Sequence, residues 1–187
     1  MADPRELERT ARTIGPGGWA VESERPIATL LGSCVAVCLW DTGSRIGGMN
    51  HFMLPRSDGR HARPDIDTLL CGDFAMETLL NGMLGRGGRR SRLQAKVFGG
   101  GAVVAGLTHV HIGEQNATFA RDWLTRENIP LVASDLLGRW SRKVVFDPCT
   151  GDAFCRRGEE VTSSLIHAEQ RYERTLQKPR QTNIELF

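Results

Sequence analysis

The sequence has no apolar run near the ~20 residues that a membrane-spanning helix requires, and it has no excess of one charge sign. Its 24 basic and 22 acidic residues leave a formal net charge of +2 and are mostly interleaved. That balance reads against nucleic acid, whose binders carry a basic stripe to meet the phosphates. Met1 to Arg12 is polar and charged, unlike a secretory signal. There is no internal repeat. The five cysteines form neither an even disulfide framework nor a zinc-ribbon spacing. The expectation is a cytoplasmic protein with reduced thiols, no membrane insertion and no nucleic-acid partner.

What is present suits one domain with a real core: 187 residues, 40% hydrophobic and 25% charged. Strand-like runs fall at 19–21, 26–30, 34–40, 46–54, 95–98, 109–112, 130–133, 143–146 and 152–155. The clearest helix runs from about Asp65 to Leu84, with apolar residues at three- and four-residue spacing, Asp65 as its cap and Gly85 at its end. A second helix is expected from a cap at Asn116 to about Glu127, with Phe119, Trp123 and Leu124 inward. The order predicts an α/β fold: a single-domain layered sandwich with a mixed β-sheet, strand-rich ends and two main helices. Residues 1–18, ending in Gly15-Pro16-Gly17-Gly18, read as a flexible leader, 19–166 as the domain and 167–187 as a mobile tail. The tail closes on Ile184-Glu185-Leu186-Phe187, which reads equally as a docking motif or a fraying end.

One thiol and one imidazole stand out. If Asp41 to Ser44 is a four-residue hairpin loop, Trp40 faces Arg45, and counting back along both strands sets Cys34 opposite His51. Directly opposed residues have Cβ atoms roughly 4.5–5.5 Å apart. That closeness suits a cysteine nucleophile and the base that takes its proton, leaving a thiolate–imidazolium pair. Cys34 follows Leu31-Gly32-Ser33, where backbone N–H groups can meet an oxyanion. Gly32, Ser33 and Asn50 are candidates for substrate binding or for that oxyanion. Composition alone also allows a buried, inert Cys34, and Cys38 fits that description well.

Other features carry less. His109-Val110-His111 places two imidazoles on one face of a strand with no third ligand nearby, so no metal is expected. Phe98-Gly99-Gly100-Gly101 lacks the pattern of a phosphate loop; close backbone approach beside a substrate channel explains it better, and a tight turn alone explains it almost as well. Arg86, Arg89, Arg90 and Arg92 read as a solvated basic loop.

Leu30 to Leu39, followed by Gly47-Gly48-Met49-Asn50-His51-Phe52-Met53-Leu54-Pro55, resembles the signature of the chemoreceptor glutamine deamidase (CheD) family. The likeness continues through Gly72-Asp73-Phe74-Ala75-Met76-Glu77, Lys96-Val97-Phe98-Gly99-Gly100-Gly101 and Ile112-Gly113-Glu114-Gln115-Asn116. It spans about residues 20–160, with five motifs in order. The resemblance implies an enzyme that converts glutamine side chains of methyl-accepting chemotaxis receptors to glutamate, with Cys34 as nucleophile, His51 as base and no cofactor. It also implies a threonine, six residues before the cysteine, that orients the imidazole. That offset lands on Ala28, and Thr29 is the candidate. Gln115 departs from the arginine common in the family, and Leu137 and Trp140 fall in a stretch usually richer in glycine. A CheC-type phosphatase is an implied partner. A receptor methylesterase, another thiol hydrolase or a non-catalytic chemotaxis adaptor are the alternatives.

Overall fold

The computed structural model describes residues 3–53, 71–103 and 107–158. Helix α1 (Pro4–Thr10) precedes strands β1 (Arg12–Thr13), β2 (Trp19–Glu22), β3 (Ile27–Leu31), β4 (Val35–Asp41) and β5 (Ile46–Asn50). Helix α2 (Gly72–Gly85) leads through a short 3₁₀ turn into β6 (Leu93–Gly99). Helix α3 (Leu107–Arg126) then leads to β7 (Leu131–Leu136), β8 (Ser141–Phe146) and β9 (Ala153–Gly158). The strands make two sheets, one ordered β1-β3-β8-β9 and the other β2-β5-β4-β6-β7. Each sheet is mixed: β1–β3 and β6–β7 are parallel, and the other pairs are antiparallel.

The α/β sandwich expected from the sequence is the fold that forms, with its mixed sheet divided in two. The division falls between consecutive strands, because the chain crosses from one sheet to the other at Gly32–Cys34. Strand alternation then builds two cores from one strand. Val35, Val37 and Leu39 of β4 pack toward α2 and α3, against Met76, Leu79 and Trp123. Ala36 and Cys38 face the other way, into an inter-sheet layer with Ile27, Leu31, Met49, Val144 and Phe146. Among the described residues no helix is long and apolar enough to cross a membrane.

Several elements differ from expectation. The expected long helix is present as α2; Asp65, Ile66, Leu69 and Leu70 lie outside the described residues. Residues 109–112, read as a strand from the alternation His-Val-His-Ile, lie inside α3. Asn116 is therefore a mid-helix residue and not a cap. Of the stretch read as a leader, residues 3–18 are described and carry α1 and β1. Asp3 caps α1 by accepting from the Arg5 N–H (3.0 Å), Glu8 pairs with Lys143 of β8 (3.1 Å), and β1 pairs with β3. Pro and Gly at 15–18 suggest a linker, but they serve a turn that continues the sheet framework.

Asp41 locks the tip of the β4–β5 hairpin. Its fully buried carboxylate accepts the N–H groups of Gly43 (2.8 Å), Ser44 (3.1 Å) and Arg89 (2.7 Å), and both Nε and Nη2 of Arg92 (2.8 Å each). The Arg92 guanidinium first, and then these backbone donors, hold the carboxyl far below the usual carboxylate range. Asp41→Ala leaves the backbone donors of the turn without their acceptor, and is expected to cost about 1–3 kcal/mol. The native carboxyl titrates below the unfolded one, so its stabilisation is complete above about pH 4 and fades as pH falls further. Urea midpoints between pH 7 and pH 3 check this: the wild type should lose more on acidification than Asp41→Asn.

Candidate active site

The inter-sheet layer collects the candidate residues because of the strand period. Ile27 and Leu31 of β3 face it, and so does Thr29 between them. Met49 of β5 faces it, and His51 lies two residues further on. Cys34, at the entrance to β4, joins Ala36 and Cys38 on the same side. Cys34 and His51 are each only 2% exposed, and Thr29 is fully buried.

The register differs from the one expected. Asp41 pairs with Ile46, Trp40 with Gly47 and Cys38 with Met49, and a bridge joins Val35 to Phe52. The loop is therefore Thr42 to Arg45, because Asp41 stays in the strand while its side chain ties down the turn. This moves the pairing by two residues and sets His51 across from Ala36, one step along from Cys34. A one-residue slip would have put the two on opposite faces; a two-residue slip keeps them on one.

Residues 32–34 are held by a donor on every carbonyl. Gly101 N–H donates to Gly32 (2.8 Å), Asn116 Nδ2 to Ser33 (3.1 Å) and Gly100 N–H to Cys34 (2.8 Å). The Gly99-Gly100-Gly101 run earlier read as close backbone approach does that here. Gly99 has φ +113°, and a Cβ on it would stand 2.1 Å from the Cys34 carbonyl oxygen.

His51 is held by its backbone and by its ring. Its N–H donates to Gly18 O (2.9 Å), and its carbonyl accepts from Gly17 N–H (2.8 Å). Nδ1 lies 2.8 Å from Thr29 Oγ1, and that hydroxyl is 2.8 Å from the Ile14 carbonyl. A carbonyl only accepts, so the one hydroxyl hydrogen goes to Ile14, and Nδ1–H must donate to Thr29. The ring's lone pair is then on Nε2, which has no hydrogen-bond partner among the described residues. Burial pushes the imidazole down to about 3, so it is neutral across the physiological range.

Asn50 does not take the place suggested for it. Its Oδ1 accepts from Val37 N–H (3.0 Å) and its Nδ2 faces the Ala75 carbonyl (3.0 Å) and Met76 Sδ (3.3 Å). The amide is consumed in joining β4 to α2 and has no donor to give an oxyanion. Cys38 is buried and its thiol is pushed up by desolvation, as befits a packing residue. Among the described residues no cluster of His, Cys, Asp and Glu is arranged to hold a metal. Two contributions escaped the sequence reading: the Ile14–Gly18 frame and Asn116. The first hid in a glycine-rich turn. The second had a signal, a lone amide on a helix stripe that otherwise buries Ala117, Ala120 and Leu124.

Residues 53–157 match the family described as CheD chemotactic sensory transduction. The match begins two residues after His51, so it does not itself include Cys34 or His51. Relatives cover nearly the whole chain. A probable chemoreceptor glutamine deamidase CheD 2 of Dechloromonas aromatica is 55% identical over 98% of this chain and 96% of its own length. A protein of the same name from Burkholderia thailandensis is 46% identical over 98% and 96%. A probable chemoreceptor glutamine deamidase CheD 1 of Shewanella oneidensis is 44% identical over 98% and 90%. On these matches, and with the ordered motifs it carries, the chain belongs to the CheD family.

Proposed function

We propose that this protein hydrolyses the carboxamide of glutamine side chains on methyl-accepting chemotaxis receptors, giving glutamate and ammonia, through a thioester on Cys34. The observation that carries the reading is the chain from Ile14 through Thr29 to His51, which leaves Nε2 as an acceptor in the layer that holds Cys34. The relatives' names supply the substrate class.

In the reaction, Nε2 takes the thiol proton as sulfur attacks the glutamine Cδ. The tetrahedral oxyanion is met by N–H groups of the Gly32-Ser33-Cys34 segment, whose carbonyls are already engaged. Collapse breaks the C–N bond, and the imidazolium returns its proton to the departing ammonia. Water, deprotonated by the same nitrogen, then cleaves the thioester and restores the thiol. Side chains and backbone suffice, with no cofactor. The enzyme acts in the cytoplasm, where receptor signalling domains present their glutamines, and a CheC-type phosphatase is a candidate regulator. The catalytic unit extends N-terminally at least to Ile14, because that carbonyl fixes Thr29.

Incubation with receptor cytoplasmic fragments, read by mass spectrometry, should show a gain of about 1 Da per modified glutamine, the difference between amide and acid. Cys34→Ala should give none. Deamidation by Cys34→Ala would sink the mechanism, and loss of 14 Da from methylated fragments without any gain on glutamine would favour a methylesterase.

A further inference from the structure

We infer that Asn116 is a positioning residue that sets the orientation of the Ser33–Cys34 peptide and, with it, the N–H that meets the oxyanion. The inference rests on the reading of Cys34 as the nucleophile.

Asn116 lies in the middle of α3 and is 0% exposed. Its Nδ2 donates to the Ser33 carbonyl (3.1 Å) and to the Met53 carbonyl (2.8 Å). Both amide hydrogens are thereby used, one on the residue before Cys34 and one on the second residue after His51. A single side chain joins the segment carrying the thiol to the segment carrying the imidazole.

The peptide group is planar and trans, so its C=O and N–H point in opposite directions. Drawing the Ser33 carbonyl toward α3 therefore turns the Cys34 N–H away from it. Gly100 and Gly101 fix the neighbouring carbonyls through backbone N–H groups, which no side-chain substitution removes. Among the described residues, the Ser33 carbonyl is the one of the three that is held by a side chain.

The other end of the amide supports the assignment. Asn116 Oδ1 is buried with no hydrogen-bond partner among the described residues. A buried acceptor without a partner is unfavourable, and a leucine of similar size at this apolar stripe would not carry one. The amide serves here for its donors.

Two small reagents separate an oriented oxyanion donor from a merely intact fold. Acylation of Cys34 by p-nitrophenyl acetate passes through a tetrahedral oxyanion, whereas alkylation by iodoacetamide does not. Both reach the thiol by the same route, so their ratio cancels access. Rates are taken at Cys34 by peptide mass spectrometry, with Cys34→Ala as background. Asn116→Leu is expected to lower acylation about 10²-fold and to leave alkylation within about twofold. A parallel fall in both rates, or unchanged acylation, overturns the proposal. If Asn116→Leu does not fold, Asn116→Asp is measured instead. Its carboxylate cannot donate, but its protonated form regains one O–H. The acylation-to-alkylation ratio, relative to wild type, should therefore be low at pH 8 and rise toward pH 5; a ratio equal to wild type throughout overturns the proposal. The comparison does not use the receptor, so a failure to deamidate receptors would count against the proposed function alone.

Discussion

His51→Ala is expected to lower kcat/KM for receptor deamidation by about 10²–10⁴-fold, the range a positioned general base contributes. The form of the loss is as informative as its size. In the native protein burial holds the imidazole at about 3, and no charged neighbour among the described residues offsets that burial. The Cys34 thiol is equally hidden from water. The resting imidazole is therefore neutral, with Nε2 able to accept a proton. The proton moves as sulfur attacks, when the developing oxyanion meets its donors.

Wild-type kcat/KM should consequently stay flat from about pH 8 down to pH 5, where an exposed imidazole would already have lost its basicity near its ordinary value of about 6.5. In His51→Ala the residual rate should rise with pH, because thiolate then forms only by losing its proton to solvent. A wild-type profile that halves near pH 6.5 would show that the ring is protonated as if in water and that this account of the site is wrong. The sign for stability follows from the same shift. Between about pH 6.5 and pH 3 the unfolded chain binds a proton at His51 that the native chain refuses, so this group lowers stability as pH falls. His51→Ala removes that contribution, and its urea midpoint should fall less over this interval.

Much of this was legible in the sequence because it depended on period rather than on contact. The alternation along residues 35–41 and 46–50 made a hairpin readable, and any register of the right parity keeps Cys34 and His51 on one face. The register itself was missed because Asp41 looks like a turn residue. It stays in the strand by spending its carboxylate on five donors, two of them from the distant Arg92. The start of α3 was missed because His-Val-His-Ile imitates strand alternation, and Gly113 looks like a breaker. Gly113 is instead the point where α3 passes Gly100, since a Cβ there would stand 2.5 Å from the Gly100 oxygen. Asn50 was misjudged because sequence proximity to His51 says nothing about which way an amide turns. Long-range pairings of this kind leave no local pattern.

Thr29→Val is the second large prediction, and it tests the residue that the sequence supported least. Valine keeps the shape and the β-branch that suit a buried strand position, but removes the hydroxyl that receives Nδ1–H and donates to Ile14. The imidazole then loses the contact that places its proton on Nδ1, and either tautomer or ring orientation becomes available. In serine hydrolases a comparable loss of tautomer control lowers kcat by about 10⁴; a hydroxyl carries no charge to stabilise the imidazolium, so a fall of about 10²–10³ is expected here, mostly in kcat. The buried Ile14 carbonyl and Nδ1–H are left unpartnered at about 1–3 kcal/mol each, so urea unfolding must accompany the kinetics. Thr29→Ser separates the two effects. It keeps the hydroxyl while losing a buried methyl, and should recover kcat to within about tenfold of wild type despite a loss of stability of about 1 kcal/mol. If Thr29→Val retains kcat within about threefold, the hydrogen-bond chain from Ile14 to His51 is architecture alone. If Thr29→Ser is as slow as Thr29→Val, the methyl group rather than the hydroxyl orients the ring.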